Sequence, residues 1–128
     1  MKAIGFNRPL PVSNPEALLD IELPEPELRP HDILVAVQAV SVNPVDVKVR
    51  VAHTPAAGQY RVLGYDAAGI VQAVGSEVRH FKVGDEVYYA GAINRQGSNA
   101  QLQAVDARIA AKKPRSLDFA QAAALPLT

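Results

Sequence analysis

The stretch Leu63-Gly64-Tyr65-Asp66-Ala67-Ala68-Gly69-Ile70-Val71-Gln72-Ala73-Val74-Gly75, followed by Phe81-Lys82-Val83-Gly84-Asp85-Glu86-Val87, constrains the fold more than any other part of this 128-residue chain. It is too apolar for a surface loop and too rich in glycine for a helix. Small and β-branched residues interrupted by Gly64, Gly69 and Gly75 read as strand. Each glycine there marks a bulge or a place where another backbone or a ligand comes close. Asp66 is a single acid in apolar surroundings. A lone buried carboxylate is costly, so this one has to be paired or belong to a site.

Further strands are predicted on both sides of that stretch. Asp32 to Asn43 carries the longest β signal: Ile33, Val35, Val37 and Ala39 alternate with Leu34, Ala36, Gln38 and Val40. Both sets are largely apolar, the pattern of a strand covered on two faces. Lys2–Phe6, Ala17–Leu23, Asp85–Ala90, Ala100–Val105 and Arg108–Ala111 read as strands as well, and Arg61–Val74 supplies one or two. The proline-rich connector Pro24–Pro30 cannot join a central ladder. A short helix is predicted over Val45–Val51, behind Pro44, whose missing N–H costs little at a helix start. Ser116 is expected to cap a second helix running to Ala124, with Asp118 in its first turn and Pro126 closing it. Tyr88 and Tyr89 alternate across a strand, which puts one in the core and one on the surface. Many short strands with glycine turns make the fold mainly β, a closed or partly open barrel with a few short helices.

Composition excludes several functions. Formal net charge is zero, leaving no electrostatic footprint for nucleic acid or an anionic membrane. The only basic cluster, Lys112-Lys113-Pro114-Arg115, suits a solvated loop. No apolar run reaches bilayer-spanning length, and the N-terminus lacks a signal-peptide pattern. The absence of cysteine rules out disulfides and thiol catalysis and favours the cytoplasm.

Together with Ser41-Val42-Asn43-Pro44-Val45-Asp46, the glycine-rich stretch resembles the substrate-side, GroES-like domain of medium-chain dehydrogenases and reductases. It is most similar to the zinc-type alcohol dehydrogenase-like and quinone oxidoreductase branch. The resemblance runs over residues 1–128 and implies a GroES-like partly open β-barrel. It also implies a following Rossmann domain, which is expected beyond Thr128, since no strand, Gly-x-Gly-x-x-Gly turn and helix occur here.

The resemblance also bears on metal. Zinc-dependent relatives hold a catalytic zinc with thiolate and imidazole donors. Matched motif to motif, Asn43 takes the place of the ligand cysteine and Tyr65 that of the ligand histidine. Neither amide nor phenol is a competent substitute. His31, His53 and His80 are far apart and read as surface or partly packed residues rather than metal ligands. The expectation is an enzyme half that works without zinc, reducing a quinone or an α,β-unsaturated carbonyl with hydride from NADPH or NADH. What the resemblance implies for the cleft is then specific. Asn43, Tyr65 and Asp66 are the catalytic candidates, with Asp46, Lys48, Arg50 and Thr128 contacting substrate or cofactor.

Plainer roles stand beside these. Asp46 with Lys48 or Arg50 equally suits a structural ion pair. Asp66 suits a brace for backbone amides, and Asn43 a helix-start residue. Arg95, Ser98 and Asn99 fit a plain connector better than a cleft border. A non-catalytic interaction fragment and, more remotely, a co-chaperonin-like module are the other function classes. The isolated chain is expected to fold but to catalyse nothing. It should expose apolar surface on the cleft face and along Ala122–Leu127, a surface open to self-association.

Overall fold

The computed structural model describes all residues from Met1 to Thr128. Two antiparallel sheets make up a mainly β domain. The smaller has the order β2-β1-β4, from β1 (Lys2–Phe6), β2 (Leu19–Glu22) and β4 (Arg61–Val62). The larger has the order β7-β3-β5-β6-β8, from β3 (Asp32–Ser41), β5 (Asp66–Val74), β6 (Glu86–Ala90), β7 (Leu102–Asp106) and β8 (Ala110–Lys112). A bridge between Ala3 and Ala100 joins them, and the whole is the partly open barrel expected of a GroES-like fold. Helix α1 spans Pro44–Ala52 and α2 spans Phe119–Ala123.

The long predicted strand and the glycine-rich stretch pair with each other. β3 and β5 run antiparallel from Ile33↔Val74 to Ser41↔Asp66. Their inward side chains, Ile33, Val35, Ala67 and Val71, join Val87, Tyr89 and Val105 in the main core. β5 is covered on its other face too, where Ala68 packs beneath Ala122 and Ala123 of α2. β3 changes face on the way. The register slips between Val37 and Ala39, so Gln38 is extra, and Ala39 moves from the core face to the α2 face.

Two glycines of the motif have definite causes. At Gly69 a Cβ would press into the Ala36 carbonyl of β3, so the small residue lets the central strands approach. Gly64 has φ +105°, in the region that favours glycine. It turns the chain between β4 and β5, which places the two halves of Arg61–Val74 in different sheets.

Four expectations need correction. The α2 cap is Asp118, not Ser116: Asp118 accepts from Gln121 N–H at 2.7 Å, and Gln121 returns an acceptor to Asp118 N–H at 3.0 Å. Lys113 is not solvated. Its side chain is 5% exposed, donates to Leu117 O and Pro114 O, pairs with Glu86 and lies over Phe119. Tyr88 does not face solvent freely but packs against the α2 cluster, while Tyr89 is in the core. The Ala122–Leu127 end is only partly open: Ala122 and Ala123 are buried, and Leu125 and Leu127 are exposed.

Candidate functional site

The start of α1, the Gly64 turn and the first residue of β5 converge through three polar side chains. Asn43 precedes the helix in extended conformation, as a residue before proline should. Its backbone N–H donates to Asp46 Oδ2 at 2.9 Å, and the two residues face each other as a capping box. Asp46 Oδ1 accepts from Gly64 N–H at 2.9 Å. The carboxylate therefore ties the helix start to the turn before β5, with backbone donors on both oxygens.

Asn43 also reaches the neighbouring acid. Its side-chain Nδ2 donates to Asp66 Oδ2 at 2.8 Å and, at 3.4 Å, to Ser41 O. Asp66 Oδ1 accepts from Leu127 N–H at 2.8 Å, drawing the Leu127–Thr128 segment onto the end of β5. Asp46 and Asp66 are both buried, and neither takes part in an ion pair. Neutral dipoles alone satisfy them, and Asn43 touches both.

Three predicted residues thus come together, Asn43, Asp46 and Asp66; Thr128 is exposed, and only its neighbour Leu127 is bonded to the cluster. The others do not join them. Asp46 makes no ion pair with Lys48 or Arg50; that expectation fails because both its oxygens are taken by backbone N–H groups. Lys48 is exposed. Arg50 turns away to donate to Leu10 O. Tyr65, 2% exposed, receives a 3.4 Å contact from Arg61 Nη2 at its hydroxyl. Arg61 in turn lines a cavity of about 940 Å³ between the Pro24–Arg29 connector, the loop leading to β4 and the Asn94–Gly97 turn. Asn43 and Asp66 do not line that cavity.

Sequence reasoning missed Arg61 and misjudged Arg95. The latter is no loose connector residue: its Nη1 and Nη2 donate to both oxygens of Asp32 at 2.8 and 2.7 Å. The partners are 63 residues apart, so no local pattern could have announced them.

The donor chemistry does not suit zinc. The amide nitrogen of Asn43 is a donor spent on Asp66, and the Tyr65 phenol lies beside a guanidinium. No three His, Cys, Asp or Glu side chains cluster in a metal-holding geometry, and all three histidines are exposed.

Comparison with known proteins agrees with the fold. Residues 29–115 match the alcohol dehydrogenase GroES-like domain. A zinc-type alcohol dehydrogenase-like protein of Staphylococcus aureus (strain COL) is 45% identical over 128 residues, all of this chain and 38% of that protein. A Rhizobium etli CFN 42 protein provisionally named a zinc-dependent alcohol dehydrogenase superposes with a TM-score of 0.95 at 58% identity, over 99% of this chain and 37% of its own. The quinone oxidoreductase of Escherichia coli, crystallised with NADPH, superposes at 0.79 with 30% identity, over 99% of this chain and 37% of that one. The chain thus spans less than two fifths of each of these proteins. By motif, fold and coverage it belongs to the alcohol dehydrogenase GroES-like domain family, within the medium-chain dehydrogenase/reductase superfamily of oxidoreductases.

Proposed function

We propose that the chain is the substrate-side domain of a zinc-independent, NAD(P)H-dependent oxidoreductase that reduces quinones or α,β-unsaturated carbonyls by hydride transfer. The bonding of Asn43 carries this reading. Where the resemblance sets a zinc-ligating thiolate, this chain has an amide whose nitrogen is committed to Asp66. An unactivated alcohol needs help to lose its proton, commonly from a metal. A conjugated acceptor spreads the developing negative charge and manages with hydrogen-bond donors.

A bound nicotinamide would supply the hydride. In this reading the chain's own residues form one wall of the cleft. Asn43 and the Leu127–Thr128 segment lie on it, held by Asp66, and Lys48 sits exposed on α1 close by in sequence. Tyr65 is buried, with its hydroxyl beside Arg61 and apart from the Asn43 cluster, and is assigned no contact with the acceptor. The opposite wall belongs to a Rossmann domain following these residues, and the two-domain enzyme works in the cytoplasm. Support comes from the Escherichia coli quinone oxidoreductase, whose structure contains NADPH. The Staphylococcus relative carries a zinc-type name, so metal content separates the alternatives.

The test uses the chain joined to its dinucleotide-binding domain. The expected results are NADPH-dependent reduction of a benzoquinone or an enone and no stoichiometric zinc after dialysis. About one zinc per chain, or strong ethanol oxidation with little quinone reduction, overturns the proposal. The 128-residue chain alone should turn over nothing, because hydride transfer depends on holding cofactor and acceptor at near-attack distance.

A further inference from the structure

We infer that Asp66 fixes the hydrogen-bond polarity of Asn43, so that Asn43 offers a ligand only an acceptor and meets a hydroxyl or carboxamide N–H rather than the carbonyl being reduced. This rests on the proposed function for the identity of the ligand, but the polarity itself follows from the geometry of the chain.

An asparagine side chain has two faces of opposite sign, a carbonyl oxygen that accepts and an NH2 group with two donors. Which face points where is settled by the neighbours. Here the neighbour is a carboxylate, which has no proton to give when ionised. Turning the amide over would set Asn43 Oδ1 against Asp66 Oδ2, oxygen to oxygen, in place of the 2.8 Å donor contact. At a site where Asp66 is 1% exposed, bulk solvent does little to soften that encounter. The second N–H is drawn the same way, toward Ser41 O at 3.4 Å.

Both donors are therefore directed into the protein. The oxygen is not so committed. It faces the first turn of α1 as the acceptor side of the capping box and makes no hydrogen bond of full geometry there. A carbonyl oxygen has two lone pairs, so acceptor capacity remains. Asn43 is thereby unsuited to stabilise an oxyanion and suited to receive a hydroxyl or amide proton. Asp66 cannot relax to permit the flip, because its other oxygen holds Leu127 N–H at 2.8 Å. Asp46 fixes the residue from the backbone side through Asn43 N–H. Asp66 is in this sense a positioning residue, acting on a ligand only through Asn43.

Exchanging the two side chains tests the inference. Asn43→Asp alone sets carboxylate against carboxylate, and Asp66→Asn alone removes the charge that forbids the flip. The double variant Asn43→Asp/Asp66→Asn restores one donor–acceptor pair in reverse, conserves net charge and leaves only acceptor oxygens at position 43. In the 128-residue chain, Asn43→Asp should lower Tm and the double variant should recover most of that loss. In the two-domain enzyme, Asn43→Asp should weaken NADPH binding roughly tenfold, with the double variant restored to near the parent value. A double variant that regains Tm but binds NADPH as poorly as Asn43→Asp overturns the inference, since a donor at position 43 would then be what the ligand needs. No recovery of Tm overturns it as well, because the two side chains would not be paired as described. Failure of the parent enzyme to bind NADPH at all counts against the proposed function instead, and the Tm arm then decides the polarity.

Discussion

Asp32 and Asp66 lie at opposite ends of the β3–β5 ladder, each 1% exposed, and they are satisfied in opposite ways. Asp32 meets a cation: Arg95 grips both its oxygens, and Arg29 N–H adds a third bond at 3.0 Å. Asp66 meets only neutral dipoles, the Asn43 amide and Leu127 N–H. The first arrangement cancels charge where the Asn94–Gly97 turn must be pinned to the sheet. The second leaves charge uncancelled but sets the direction of every group around it. One end of the barrel is built to stay closed, and the other to hold side chains in a fixed sense.

The largest expected effect breaks the charge-paired end. Arg95→Met leaves the buried Asp32 carboxylate with only the Arg29 N–H bond, and removing one partner of a buried pair typically costs about 3 kcal/mol. Urea unfolding should show that loss with an unchanged m-value. A loss below about 1 kcal/mol would mean that Asp32 is rehydrated easily and the two ends are alike. Asp46→Ala is the matching change at the dipole-held end. It strands two backbone donors, Asn43 N–H and Gly64 N–H. The expected loss is about 2 kcal/mol, smaller because no uncompensated charge remains.

The two ends also differ in how far sequence revealed them. The glycine-rich stretch, the alternation over Ile33–Val40 and the Asn43-Pro44 helix start are local patterns, and each appears as strand, strand and helix in place. Asp66 was recognisable as an acid needing partners, because its neighbours in sequence are apolar. Its actual partners were not legible, since Asn43 and Leu127 are 23 and 61 residues away. The same holds for Arg95 and Asp32. Charged residues in a loop have no periodicity that announces a bidentate pair across the fold. Lys113 shows the opposite failure. A basic cluster next to proline looks solvated, and only the arrival of Glu86 and Phe119 from elsewhere buries it. Ser116 lost the cap to Asp118 for a local reason: Gln121 stands at the spacing that completes a capping box with Asp118.

Acid sharpens the comparison. Burial opposes the charged form of Asp32, yet the bonds from Arg95 and Arg29 together hold its carboxyl below the ordinary 3.8. At the surface, the Arg108 guanidinium and N–H hold Asp106 down to about 2. A carboxyl whose folded pKa is depressed adds stability that is complete above the unfolded value and is lost as pH falls through the folded one. Stability should therefore be flat near neutrality, begin to fall below about pH 4 and continue falling to about 2. In Arg95→Met the Asp32 part of that fall should shrink, because burial is then opposed only by the N–H bond and charge of Arg29. Urea midpoints measured at steps from neutral to acid pH read this directly. An unchanged acid slope in the variant would remove the pairing from its assigned role.

The smallest structural effect is expected at Lys48, and that is what makes the residue informative. It is exposed, forms none of the ion pairs and lies on α1, a helix that buries only Asp46. Val47 and Val51 on the same helix are also open, at 53% and 62%. α2 contrasts with it, covering β5 with Ala122 and Ala123. Lys48→Ala should therefore shift stability by less than about 0.5 kcal/mol. If α1 borders the cofactor cleft, the ammonium acts on an anionic ligand through solvent, as a screened point charge. In the two-domain enzyme the KM for NADPH should then rise roughly threefold with kcat kept, because such a charge favours ground state and transition state equally. The rise should shrink as salt is added. A KM that does not move, at low salt and with stability intact, would return Lys48 to the solvated surface and leave recognition to the dipole-held end alone.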